Sequence, residues 1–284
     1  FDQDGYDFIQ GAAPGSVNPS LWRQAQLNNH HGLYKVTDGV YQLRGYDLAV
    51  MSLIESKNGW IVVDPLTTVE TANRAMAFAR KNLGDKPVVA VIFTHSHVDH
   101  FGGALAVADP ADVASGKVRV YAPKGFMEEA TSENVLAGPA MGRRAIYMYG
   151  RDLPRSERGK VDNGLGKEPA MGTVGILQPT DLIDSETQDV TIDGVDFVFH
   201  YTPGAEAPAE MTFYLPAQKA FCGAEILSRT QHNLYTLRGA KVRDARRWAD
   251  YIDASLSDNQ QAEVMFFSHH WPVWGKTRIN ALMR

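Results

Sequence analysis

The chain is 284 residues long, 44% hydrophobic and 21% charged, with a formal net charge of −5 at pH 7. That length can bury one substantial core of the α/β kind, and the negative balance argues against a nucleic-acid-binding surface, so any anion site must be built from local arginines. No uninterrupted apolar run is long enough for a membrane span, and the lone cysteine, Cys222 beside Phe221, excludes an internal disulfide and reads as packing.

Residues 1–31 are polar and turn-rich and are expected to wrap the outside of the domain, with Asn28, Asn29, His30 and His31 as a solvated or hydrogen-bonded loop. From Leu33 to Val63 the chain reads as strands. Val40–Leu43 alternates loosely, and the apolar runs Val50–Ile54 and Trp60–Val63 flank Lys57-Asn58-Gly59, a hairpin turn. Asp64-Pro65 closes the last of these strands. Asp64 is either the outer partner of a ligand histidine or a strand-end turn or cap. Thr68–Leu83 places Ala72, Ala75, Met76, Ala79 and Leu83 near helical spacing, and Gly84 ends it.

The stretch from Pro87 to Gly103 reads PVVAVIFTHSHVDHFGG. Val88–Phe93 is β-branched and apolar, a buried strand. Directly after it come His95, His97, Asp99 and His100, four potential metal ligands within six residues. Side chains alternate along an extended segment, so His95 and His97 can grip one ion, while Asp99 and His100 face a second once the chain turns. Imidazole mixed with carboxylate suits zinc. No Glu follows the first His, so this is not the HExxH helix of a zinc protease.

Val118–Tyr121 is another strand and Phe126–Ala140 an amphipathic helix. Arg143–Lys167 is charged and glycine-rich, long for a structureless loop, and is expected to cover substrate or to be a mobile surface loop. Its GLGK run at 164–167 lacks the full phosphate-loop pattern, which excludes nucleotide binding on that motif. Val190–Tyr201 gives two strands across Asp193-Gly194, with His200 packed in the second. Phe213–Leu215, Ala220–Cys222 and Val264–Phe267 are further strands, and Asp244–Leu256 is a helix. Strands alternating with helices predict a layered α/β architecture.

THSHVDHFGG resembles the HxHxDH signature of the metallo-β-lactamase superfamily. VNPSLWRQAQLN at 17–28, YQLRGYDLAVM at 41–51, CGAEIL at 222–227, NLYTLRG at 233–239 and FSHHWPVWG at 267–275 narrow the resemblance to linear alkylsulfatases, which hydrolyse alkyl sulfate detergents such as SDS. The resemblance covers nearly the whole chain and implies an αββα sandwich over 1–284. It also implies two Zn²⁺ ions: His95, His97 and Glu206 on one, Asp99, His100 and His270 on the other, with Glu225 bridging. Glu210 competes with Glu206, and His269 is the neighbour of His270.

The sulfate head is expected to meet Arg238 and Arg243, the residues expected to be catalytic, together with Asn233 and Tyr235. Arginine offers paired, permanently charged donors to an oxyanion. The small amphiphilic sulfate ester also needs an apolar channel, expected in the Phe126–Tyr149 region and the loop after it. The family's dimerisation and lipid-carrier-like regions are not in this sequence. The chain is therefore expected to be the catalytic domain of a longer or processed protein. A homodimer and a periplasmic or secreted location follow only from the family, since no signal-peptide pattern is present. Two other readings compete: a superfamily hydrolase of a lactone, thioester or phosphodiester, and a non-catalytic, metal-stabilised module. Structural zinc sites are closed and usually cysteine-rich, which argues against the last.

Overall fold

The apolar runs between turn signals become strands in the computed structural model, which describes residues 4–231 and 233–284. Seven of them form one sheet in chain order: β1 (Gly32–Thr37), β2 (Val40–Arg44), β3 (Met51–Glu55), β4 (Trp60–Val63), β5 (Val88–Ile92), β6 (Arg119–Pro123) and β7 (Asp181–Ile183). The first four form an antiparallel meander, and the β3–β4 hairpin pairs Glu55 with Trp60 across the expected turn. The remaining three add in parallel. The second sheet holds β8 (Thr187–Ile192), β9 (Val195–Tyr201), β10 (Met211–Leu215), β11 (Ala220–Cys222), β12 (Val264–Phe266) and β13 (Val273–Trp274), in the order β13-β12-β11-β10-β9-β8.

Helices cover both outer faces. They are α1 (Pro19–Asn28), α2 (Val69–Leu83), α3 (Val98–Phe101), α4 (Pro110–Ala114), α5 (Phe126–Thr131), α6 (Gly138–Tyr149), α7 (Ala245–Asp258) and α8 (Lys276–Met283). The expected αββα sandwich is thus observed. Strand alternation sorts the side chains of β4: Ile61 and Val63 face the second sheet, whereas Trp60 and Val62 pack under the helices. Phe197, Phe199, Phe213 and Phe266 fill the space between the sheets from the other side, with Cys222 among them. Burial there pushes the Cys222 thiol up and keeps it unreactive. No helix of the described residues is long and apolar enough to cross a membrane.

Three local expectations change. The helix expected over Phe126–Ala140 is two helices, α5 and α6, joined by a π-helical segment at Ser132–Leu136, and α6 runs on to Tyr149. The stretch expected as outer wrap over 1–31, of which residues 1–3 lie outside the described residues, contains α1. Its signals are local, Asn18 as cap and Pro19 in the first turn. Its burial is tertiary, because Trp22 and Ala25 pack with Tyr6, Ile9 and Val161. The remainder of the expected loop, 150–167, is pinned to that cluster: Asn28 Nδ2 donates to Asp162 at 3.0 Å and Lys167 Nζ to Ala25 O at 2.7 Å.

Gly102 and Gly103, directly after the ligand-rich turn, are required by space. A Cβ on Gly102 would stand 2.0 Å from Thr67 O, and one on Gly103 2.1 Å from Pro65 O. Backbone cannot yield as a side-chain tip does, so Gly103→Ala is expected to cost about 1–3 kcal/mol, as overpacking typically does. Thermal melting should show a lowered Tm. Gly142→Ala, where nothing lies within 4 Å of the added carbon, should leave it unchanged or raised.

Candidate metal centre

Five strand ends, those of β4, β5, β9, β11 and β12, deliver the site. After β5, Thr94 O accepts from Met211 N at 2.9 Å and His95 bridges Glu210, so the two sheets meet where the ligand-rich turn begins. Asp64, just past β4, lies beneath. Its carboxylate accepts from Thr94 N (2.8 Å), Thr94 Oγ1 (2.7 Å), Ser268 Oγ (2.7 Å) and His100 Nδ1 (3.1 Å). Burial pushes this carboxyl up, but His100 and these other donors hold it below its ordinary value. Asp64 adopts φ 52°, Ala224 φ 46° and His270 φ 66°. Such left-handed backbone costs of order 1–3 kcal/mol each and collects at functional sites. At Asp64 the four hydrogen bonds offset it.

Seven side chains converge above Asp64. His95, His97, Glu206 and Glu225 offer donor atoms all within 4.8 Å of one another, as do Asp99, His100 and His269. Glu225 joins the two sets: its Oε2 stands 3.0 Å from His95 Nε2, 3.2 Å from His100 Nε2 and 3.2 Å from His269 Nε2. Glu206 Oε2 faces His97 Nδ1 at 3.0 Å, and Asp99 Oδ2 faces His100 Nε2 at 3.2 Å.

The donors fit metal ions. His95 Nδ1 contacts Thr94 Oγ1, His100 Nδ1 contacts Asp64 and His269 Nδ1 contacts Leu48 O. Each of these contacts places the ring proton on Nδ1, because the partner oxygen accepts, and so leaves the lone pair on Nε2. All three Nε2 atoms are buried without a hydrogen-bond partner. Three lone pairs aimed at carboxylates call for cations, and the outer oxygen contacts are the usual partners of metal-binding imidazoles. The charge balance agrees. Burial alone would push the His97 imidazole down, yet Glu206 and Glu133 reverse this and carry it up to about 9.

A cavity of about 300 Å³ opens on this cluster. His97, Asp99, Glu133 and Arg238 line its polar end, and Val98, Met141, Ala145, Tyr149 and Val174 its apolar wall. Helix α6 thus supplies much of the wall, in the region expected for a channel.

Residues 44–269 match the metallo-beta-lactamase superfamily profile. The chain belongs to the metallo-β-lactamase superfamily. Within it, the chain is 50% identical over 282 residues to a linear primary-alkylsulfatase of Pseudomonas sp., covering 98% of this chain and 42% of that protein. It is 48% identical to an alkyl/aryl-sulfatase of Saccharomyces cerevisiae, covering 98% of this chain and 44% of that one. The structure of a stereoselective inverting sec-alkylsulfatase from Pseudomonas sp. superposes with a TM-score of 0.97 at 46% identity, over 100% of this chain and 45% of that one. A metallo-β-lactamase from Hirschia baltica, 14% identical, shares the fold alone, with a TM-score of 0.59 over 89% of this chain and 95% of that one. The chain therefore spans less than half the length of the alkylsulfatases it matches.

Against this superfamily frame, some expected site residues lie elsewhere. His270 is not in the cluster; His269 is. The left-handed turn at His270 swings its ring away, where Nε2 donates to Gly164 O at 2.7 Å and Nδ1 accepts from Arg229 N at 3.3 Å. Arg243 lies beneath Glu206 instead of lining the cavity. Its Nε donates to Glu206 O at 2.7 Å, Nη2 to Glu206 Oε1, and Nη1 to Asn233 O at 2.5 Å and Oδ1 at 2.8 Å. Arg243 therefore holds Glu206 and Asn233 in place. Tyr235 is 58% exposed and lines no part of the cavity. Glu210 holds the loop itself, accepting from the backbone N–H groups of Glu206, Ala207 and Glu225. Glu133 was not expected at all, since nothing in an amphipathic helix pattern marks which glutamate turns inward.

Proposed function

We propose that this chain is the catalytic unit of a binuclear zinc alkylsulfatase. His95, His97 and Glu206 would hold one Zn²⁺, Asp99, His100 and His269 the other, with Glu225 between them. Zinc held there would supply Lewis-acid chemistry and a water acidified toward neutral pH. The chain's own residues do the rest. Arg238 offers fixed, paired donors to the sulfate head at the polar end of the cavity. The α6 wall, with Met141 and Ala145, takes the alkyl tail and keeps bulk water from it. Glu210 and Arg243 hold Glu206 in place from below, and Asp64 holds His100.

The observation that carries this reading is the pairing of Arg238 with the His/Asp/Glu cluster in one cavity that has an apolar wall. Three relatives at 46–50% identity, two named alkylsulfatases and one an alkyl/aryl-sulfatase, support it. A neutral lactone would need no such arginine, and a closed structural zinc site would not open on a cavity. In steady-state assays dodecyl sulfate should be hydrolysed better than short polar sulfate esters or a lactone. A preference for the short or neutral compounds would sink the sulfatase reading.

The ligand assignment has its own test. His269→Ala should lower bound zinc to about one ion per chain, because a three-residue set loses a donor. His270→Ala should keep the full metal content and instead weaken the hold on Gly164, read as faster proteolysis of the 161–167 segment. Metal analysis of the two variants distinguishes the adjacent histidines directly.

A further inference from the structure

Between α5 and α6 the fold departs from regular helix. Ala137 N bonds Ser132 O at 3.0 Å, a five-residue reach that inserts an extra residue into the turn. Such π-turns recur at functional sites. This one leaves Val135 and Leu136 outward, 65% and 78% exposed, and turns Glu133 inward, its side chain 14% exposed. There, Glu133 Oε2 stands 3.5 Å from His97 Nε2, and Oε1 accepts from Arg238 Nη2 at 3.1 Å. His97 faces Glu206 through Nδ1, so Nε2 is its outer nitrogen.

We propose that Glu133 is a shared positioning residue: one carboxylate that orients the His97 imidazole for its metal and the Arg238 guanidinium for the anionic head. A carboxylate on the outer nitrogen of a ligand histidine fixes the ring and raises its basicity. A charge-assisted bond to an arginine fixes the plane of its donors. The Arg238 half rests on the sulfatase reading; the His97 half needs only the metal centre. The sign of the effect separates positioning from mere charge. Glu133 is an anion beside an anion-binding arginine, so as a bystander it would repel sulfate, and its neutralisation would tighten sulfate binding. As a positioning group its loss weakens binding.

Glu133→Gln is nearly isosteric, and a thermal melt confirms folding before either measurement. Zinc affinity would be read by competition with a chromophoric chelator, and inorganic sulfate affinity by calorimetry on the zinc-loaded protein. The expected result is a fall in zinc affinity of about 10–100-fold, the usual effect of removing an outer partner. Sulfate binding should also weaken by about tenfold or more, with little further loss when Arg238→Ala is added, as for residues acting as one unit. Glu133→Asp, which keeps the charge but shortens the reach, should lie between the parent and Glu133→Gln on both readings. Unchanged zinc affinity, or unchanged or tighter sulfate binding, would overturn the proposal. A parent protein that binds zinc but no sulfate would overturn the Arg238 half together with the sulfatase reading, while the zinc measurement still decides the His97 half.

Discussion

Asp99→Ala is expected to abolish hydrolysis of dodecyl sulfate, by more than about a thousandfold, or about 4 kcal/mol of transition-state stabilisation. The folded protein should survive the change. Asp99 is an edge carboxylate, its side chain 18% exposed at the cavity, so its loss leaves no void in the core. Burial pushes its carboxyl up, but His100 and His269 hold it well below the ordinary range against the opposing charge of Glu225. Truncation therefore removes one negative charge from a site crowded with them and leaves Glu225 as the carboxylate facing Nε2 of both His100 and His269. Without metal the variant should melt close to the parent. With zinc it should lose the ligand-linked rise in Tm that saturating metal gives the parent. Chelation of the parent should remove activity in the same way, and restoring zinc should return it. Metal analysis should find about two ions per parent chain. One ion per chain with undiminished activity would refute the binuclear arrangement.

Arg238→Ala is expected to lower kcat/KM for dodecyl sulfate by about 2–5 kcal/mol, or roughly thirtyfold to several thousandfold. The side chain is 16% exposed, lines the cavity beside His97 and Asp99, and is tied to Glu133. Burial works against its charge, but Tyr149, Glu133 and Glu206 more than compensate and hold the guanidinium firmly cationic. Its removal thus strips the head group of its donor and leaves Glu133 facing the cavity without its cation. Lysine should rescue only partly, because a point charge lacks the planar pair of donors. Metal content should not change, since Arg238 contacts no ligand of either set directly. A variant with near-normal kcat/KM would place the sulfate head elsewhere. Arg243→Ala should differ in kind: it frees Glu206 and should lower zinc affinity as well as activity.

Much of the fold was legible because it depends on local pattern. β-branched runs, the turn at 57–59 and the Thr68-to-Gly84 helix signals each state their own conformation, and the structure follows them within a residue or two. His95, His97, Asp99 and His100 were legible as candidate ligands for the same reason: one short segment carries all four. Glu206 and Glu225 came from resemblance, and the turn between β9 and β10 brings the first of them in. What local pattern could not decide was direction. His269 and His270 are chemically identical neighbours, and only a left-handed turn, held by Gly164 from a distant segment, selects which ring faces Asp99 and Glu225. Arg238 and Arg243 read alike in sequence, yet one lines the cavity and the other lies buried under Glu206. Glu133 is one of several glutamates in a helical stretch, singled out by a π-turn that no periodicity signals. Composition and spacing determine which elements form and which chemistry they carry. The packing of distant segments decides which face each side chain presents, because that choice is made by contacts absent from the local chain.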